Sequence, residues 1–196
     1  MTRLSSFSLL FIAISFFACK QNKATPNLNS KQNTDSTKYV QKSIEFIKQV
    51  EKQEIEDSTF ILVDKAFPLD SSQCWKELLA DTLTFSKAEL SFLRLKKYPS
   101  ISYWRSGLFP VIKFISRDTL NAIFKKSPIN GWSYFNQEYG PCFNSFSWPI
   151  FLRSYTYCLF YSEFSCGLLN GAGTLMLYKL INTKWQYVKS YCDWIS

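Results

Sequence analysis

Ser154-Tyr155-Thr156-Tyr157-Cys158-Leu159-Phe160-Tyr161-Ser162-Glu163-Phe164-Ser165-Cys166 is the stretch that decides the fold. Its period is two. Tyr155, Tyr157, Leu159, Tyr161 and Glu163 fall on one side, and Thr156, Cys158, Phe160, Ser162, Phe164 and Cys166 on the other. Aromatic residues at this spacing suit a pleated, half-buried strand. Gly167 to Gly173 reads as a glycine-bearing connection, Thr174 to Leu180 as the next strand, and Asn182-Thr183 as a tight turn. Lys184 to Ile195 is the last strand. Upstream, Phe143 to Leu152 pairs ahead of these, with Pro149 placing it at an edge or a bulge. Sequential strands joined by short turns pair as neighbours, which predicts an antiparallel β-meander of about four strands.

The chain before it reads as helical from 39 to 126. Val40, Ile44, Ile47 and Val50 share one side of a helix over Tyr39 to Glu56. Thr59 to Val63 is a short buried strand. Asp70 and Gln73 open a helix through Ala80, and Ser86 with Glu89 forms a capping box for a helix to Lys97, which Pro99 stops. Phe109 to Ile115 reads as a strand. Asp118 caps a short helix carrying Leu120, Ile123 and Phe124, and Pro128 to Gly140 reads as a loop. The expected fold class is α+β, one domain over 39–196, its N-terminal helices packed on the β-rich region 143–196. Which sheet face they cover is left open by the pattern.

Composition describes a foldable chain, with 46% hydrophobic and 19% charged residues. The net charge of +8 suits a lysine-rich solvated surface, or anionic lipid or glycan, and no nucleic-acid recognition motif accompanies it. The chain has no histidine, which excludes Ser-His-Asp and Cys-His catalysis and every histidine-containing metal site. No metal site and no cofactor is expected.

The first residues set a location. Arg3 precedes Phe7 to Ala18, an apolar run broken only by Ser8 and Ser15. As a helix it spans about 18 Å, short of the roughly 20 residues a membrane span needs, so residues 1–18 read as a signal peptide. Ala18-Cys19 followed by Lys20-Gln21-Asn22-Lys23 resembles the lipobox of bacterial lipoproteins. That resemblance implies cleavage before Cys19, acylation of Cys19 and attachment to the lipid bilayer. Phe16 and Phe17 depart from the family's usual residues. Lys20 in place of aspartate goes, in that family, with delivery to the outer membrane, facing the periplasm. Residues 20–38 are polar and read as a flexible tether with ends about 25 Å apart.

The C-terminal half resembles a set of uncharacterised exported bacterial proteins. The resemblance rests on Ser145-Phe146-Ser147, Pro149-Ile150-Phe151, Cys166-Gly167, Gly171 and Gly173 ahead of Leu177-Tyr178-Lys179, Lys184-Trp185 and Trp194-Ile195-Ser196. It implies export and fold, and no activity. Asn170 stands where similar proteins often have a second cysteine.

With Cys19 given to lipid, Cys74, Cys142, Cys158, Cys166 and Cys192 remain, an odd number. They allow one or two disulfides with at least one free thiol, and spacing leaves the connectivity open. Glu138, Glu163 and Asp193 are the acids of the β region, and two of them across a cleft would serve a histidine-free hydrolase. Tyr155, Tyr157 and Tyr161 form an aromatic row that is either core or a stacking surface for sugar rings or an extended peptide. The leading functional expectation is a membrane-anchored envelope lipoprotein with a binding or structural role by protein contact, an envelope protein or glycan being the expected kind of partner. A carboxylate hydrolase and a secreted inhibitor or immunity-type partner are the alternatives.

Overall fold

The computed structural model describes residues 28–71, 73–98, 102–104, 107–109 and 112–196. The signal peptide, Cys19, residues 20–27 of the tether, Pro99 and Pro110 lie outside them. The described chain is α+β, with six helices and one mixed sheet of seven strands.

Helix α1 spans Leu28–Val50, so the part of the tether from 28 to 38 is helical rather than extended coil. No glycine or proline interrupts 28–50. Tyr39, Phe46 and Ile47 are buried and fix the following turns. A helix already nucleated adds about one hydrogen bond for each residue it fixes. At Glu51 the axis breaks, and α2 follows as Lys52–Ile55. Helix α3 is Gln73–Ala80, preceded by a single 3-10 turn at Leu69–Ser71. Helix α4, Lys87–Arg94, carries the expected capping box between Ser86 and Glu89. Helix α5, Arg117–Phe124, is capped by Ser116 and not Asp118.

Residues 128–138, expected as loop, form helix α6, Pro128–Glu138. Ser127 caps it and Pro128 occupies its first turn, where the missing N–H has no helical partner to lose. Gly131 sits in it because a Cβ there would come within 2.6 Å of the Phe124 ring.

The strands are β1 Ile61–Val63, β2 Lys113–Ile115, β3 Phe143–Phe146, β4 Ile150–Leu152, β5 Tyr157–Ser165, β6 Gly171–Ile181 and β7 Lys184–Ile195. Strands β3 to β7 make the expected antiparallel part, with both β3 and β4 paired to β5. The sheet is larger than a four-strand meander because β1 pairs in parallel with both β2 and β3, giving the order β2-β1-β3-β5-β6-β7.

Strand alternation sends side chains to both faces, and both are covered. Helix α1 lies over Leu62, Phe146, Cys158, Phe160 and Tyr178. Helices α3 and α4 lie over Leu159, Tyr161, Leu175, Leu177 and Tyr191 on the other face. Helices α5 and α6 extend that second layer over Ile61, Val63 and Ile115. The 9-residue strand β5 therefore reads apolar on both sides, as a central strand must.

Disulfides join Cys74 to Cys192 and Cys142 to Cys166, and Cys158 is a buried free thiol. The first ties α3 to the outer strand β7, where Glu77 also accepts a bond from the Cys192 amide at 3.0 Å. At the other end of β7, the Gln49 side chain of α1 accepts from the Trp185 amide at 2.6 Å and donates to the Thr183 carbonyl at 3.2 Å. Between these closures β7 bulges twice, opposite Leu177/Tyr178 and Thr174/Leu175.

Candidate functional site

Strand β4 pairs with β5 on one side and, among the described residues, with no strand on the other. Its chain begins at Ser147, whose amide donates to the Tyr161 carbonyl and whose hydroxyl accepts from the Tyr161 amide. Pro149 follows, its carbonyl bound by the Tyr39 hydroxyl of α1. Two cavities lie in succession along this strand. A smaller one of about 210 Å³ meets Ser147, Trp148 and Ile150 together with Lys65, Phe67 and Lys96. A larger one of about 830 Å³ meets Phe151 to Tyr155 and is walled by Lys38 and Tyr39 of α1 and by Glu89 and Phe92 of α4. Tyr98 lines both. The larger volume is within the range of ligand sites, and its walls are mainly apolar, with Tyr39, Phe92, Tyr98, Phe151 and Tyr155 among them.

The far wall is a turn with three successive left-handed residues, Arg153 (φ 50°), Ser154 (φ 54°) and Tyr155 (φ 66°). None is glycine, so the turn costs about 1–2 kcal/mol per residue. It is held by its own side chains. Arg153 forks onto both oxygens of Glu89 at 2.7 and 3.1 Å, donates to the Thr84 carbonyl at 2.8 Å and lies 4.2 Å from the Tyr157 ring centre. Glu89 is oriented by the Ser86 cap. The Arg153 hydrogen bonds and the cap pull its carboxyl down to about 2, so it stays charged. Backbone strain over-determined by its surroundings is characteristic of functional sites.

The expected aromatic row divides. Tyr161 is buried, its ring 4.1 Å from that of Phe67, and burial raises its hydroxyl above the usual range. Tyr157 lies beneath Arg153. Tyr155, turned by its left-handed backbone toward the opposite layer, lines the groove with Lys38 5.6 Å from its ring centre. The row is thus no continuous exposed platform.

The three acids are apart. Glu163 accepts from the Tyr161 hydroxyl at 2.7 Å, and Trp194 donates to that same hydroxyl at 2.9 Å. Glu163, Gly173 and Trp194 are register partners on one face. Asp193, one residue earlier, points to the other face, where it accepts from Thr174 and Ser190. Glu138 is exposed at the end of α6. Glu163 and Asp193 share no cleft, which removes the geometry that a two-carboxylate hydrolase needs. Among the described residues no cluster of Cys, Asp and Glu could hold a metal ion, and no helix is long and apolar enough to cross a membrane.

Sequence reasoning missed Lys38, Tyr39, Glu89, Phe92, Tyr98 and Arg153 as wall residues, since they come from three separate segments. The one signal in reach was Pro149, which marks β4 as an edge. Compared with protein-family models, with curated proteins and with solved structures, the chain matches none.

Proposed function

We propose that this chain is an exported lipoprotein, anchored to the outer membrane through acylated Cys19, whose folded domain binds an envelope partner in the groove along β4. The groove is the observation that carries the binding half. It is large, lined by five aromatic residues and walled by a strained turn that Arg153 holds through Glu89, the Thr84 carbonyl and the Tyr157 ring. Two disulfides support an oxidising compartment, where such bonds persist. The separation of Glu163 from Asp193 supports contact rather than turnover.

Two measurements in cells test the two halves. Metabolic labelling with a fatty-acid probe is expected to mark the wild-type chain and not Cys19→Ser, and equal labelling refutes the anchor. A photo-cross-linking residue at Tyr155 is expected to give specific adducts, whereas the same residue at Ile129 on α6 gives none. Identical adduct patterns at the two positions refute the groove as the binding site.

A further inference from the structure

We infer that the groove takes a partner's polypeptide as an added β-strand on β4, an extended segment apolar at its centre and acidic at its flanks. This rests on the reading of the groove as the binding site and names the chemistry of its occupant.

In an antiparallel pair, alternate N–H and C=O groups of each strand point away from the partner. Those of Ile150–Leu152 that point away from β5 have no hydrogen-bond partner among the described residues. They lie where the two cavities run. A strand added there would send its side chains alternately to the two faces. Each face offers an apolar wall: Tyr39, Phe151 and Tyr155 on the α1 side, and Phe92, Tyr98 and Leu152 on the α4 side. At about 3.3 Å per residue, the run 147–152 ahead of the left-handed turn accepts an extended segment of roughly five or six residues.

Charge sets the flanks. The ion pairs Lys96–Asp70 and Arg153–Glu89 neutralise themselves. Among the residues whose side chains are described, which on α1 begin at Ser36, Lys65 at one end and Lys38 at the other have no carboxylate partner. Among those side chains each cavity carries one cation in excess, which complements an acidic residue. A glycan fits less well. The larger cavity is lined by no Asn, Gln or Asp to bridge neighbouring hydroxyls, and Glu89 already serves Arg153 and Ser86. The polar resource here is the strand edge itself.

The test uses the full purified chain and three labelled peptides. One alternates valine and tyrosine between terminal aspartates. The second is the same peptide N-methylated at alternate residues, and the third has lysine for aspartate. Anisotropy is expected to show at least tenfold weaker binding for the second and third peptides. It should also show at least tenfold weaker binding of the first to the Lys38→Glu, Lys65→Glu double variant, both sites being exposed. Hydrogen exchange should slow at those amides of Ile150–Leu152 that point away from β5 when the first peptide binds. Equal binding of the N-methylated peptide, or no protection at those amides, overturns strand addition, as does displacement of the first peptide by an acidic oligosaccharide. Absence of any peptide binding while Tyr155 still cross-links in cells overturns this inference alone. Loss of the Tyr155-specific adducts overturns the groove itself.

Discussion

Glu51→Gln should change how stability depends on pH. Glu51 sits at the break between α1 and α2 and is only 9% exposed. Ser162 from β5 hydrogen-bonds it, Tyr178 from β6 feels its charge, and Glu54 one turn on repels it. No cation is among these groups. Burial first, and Glu54 second, raise the carboxyl from its ordinary 4.5 to about 7. The folded protein then binds the proton more tightly than the unfolded chain. Its contribution is complete below pH 4.5 and is lost as pH rises through about 7. At about 1.4 kcal/mol per pKa unit, the wild type loses about 3 kcal/mol between pH 4.5 and 8 from this group. Asp81 and Glu89 are held below the ordinary carboxylate range, so their contributions are already whole above pH 4.5 and leave this window level. With a urea dependence of about 2–3 kcal/mol per molar, the wild-type midpoint should fall by about 1 M across the window. Glu51→Gln, which keeps the shape without the charge, should stay flat and be the more stable protein at pH 8. Urea unfolding under non-reducing conditions, followed by tryptophan fluorescence, measures both. Parallel pH profiles for the two proteins would refute the reasoning.

Two further outcomes follow from packing and chain connectivity. Gly173→Ala would bring a Cβ within 2.6 Å of the Tyr161 hydroxyl and against the Trp194 ring, so urea unfolding should show a loss of about 1–3 kcal/mol, and an unchanged midpoint would sink this account. Replacing Cys74 and Cys192 together by alanine opens a separation of 118 residues, against 24 for Cys142 and Cys166. The first double variant should lose about 4–5 kcal/mol and the second about 3, and the reverse order in urea would count against a chain-entropy origin.

Local chemistry was legible in the sequence where one residue set decides the outcome. The Ser86–Glu89 capping box stands as read, and so does the Asn182-Thr183 turn, whose residues have φ of 48° and 67°. The alternation read from Tyr157 to Ser165 stands too, while Ser154 and Tyr155 ahead of it belong to a turn. Long-range choices were not legible. Val63 and Ile115 are register partners in a parallel pair, yet no local signal in either run names the other. Helix α6 was hidden by Gly131 and Trp132, which read as loop residues until Phe124 is seen packing against that glycine. The turn at Arg153-Ser154-Tyr155 carries no glycine, asparagine or proline, so nothing in its sequence announces left-handed backbone. The bulge near Cys192 defeats the period-two rule outright, since Tyr191 and Trp194 reach the same face from positions three apart. The walls of the groove needed the fold before they could be assembled.

Were the chain anchored as proposed, the closures on β7 would bear on how neighbouring copies meet. Chains fixed by lipid would be confined to two dimensions, where neighbours meet often. A twelve-residue outer strand left bare would template its neighbour, and that one the next. Gln49 guards one end, and the Cys74–Cys192 bond with Glu77 guards the other. The two bulges spoil the straight run between them. The short strand β4 is left free, too brief to seed a stack. Opening the Cys74–Cys192 bond would remove one of these two closures and leave that end of β7 held by Glu77 alone.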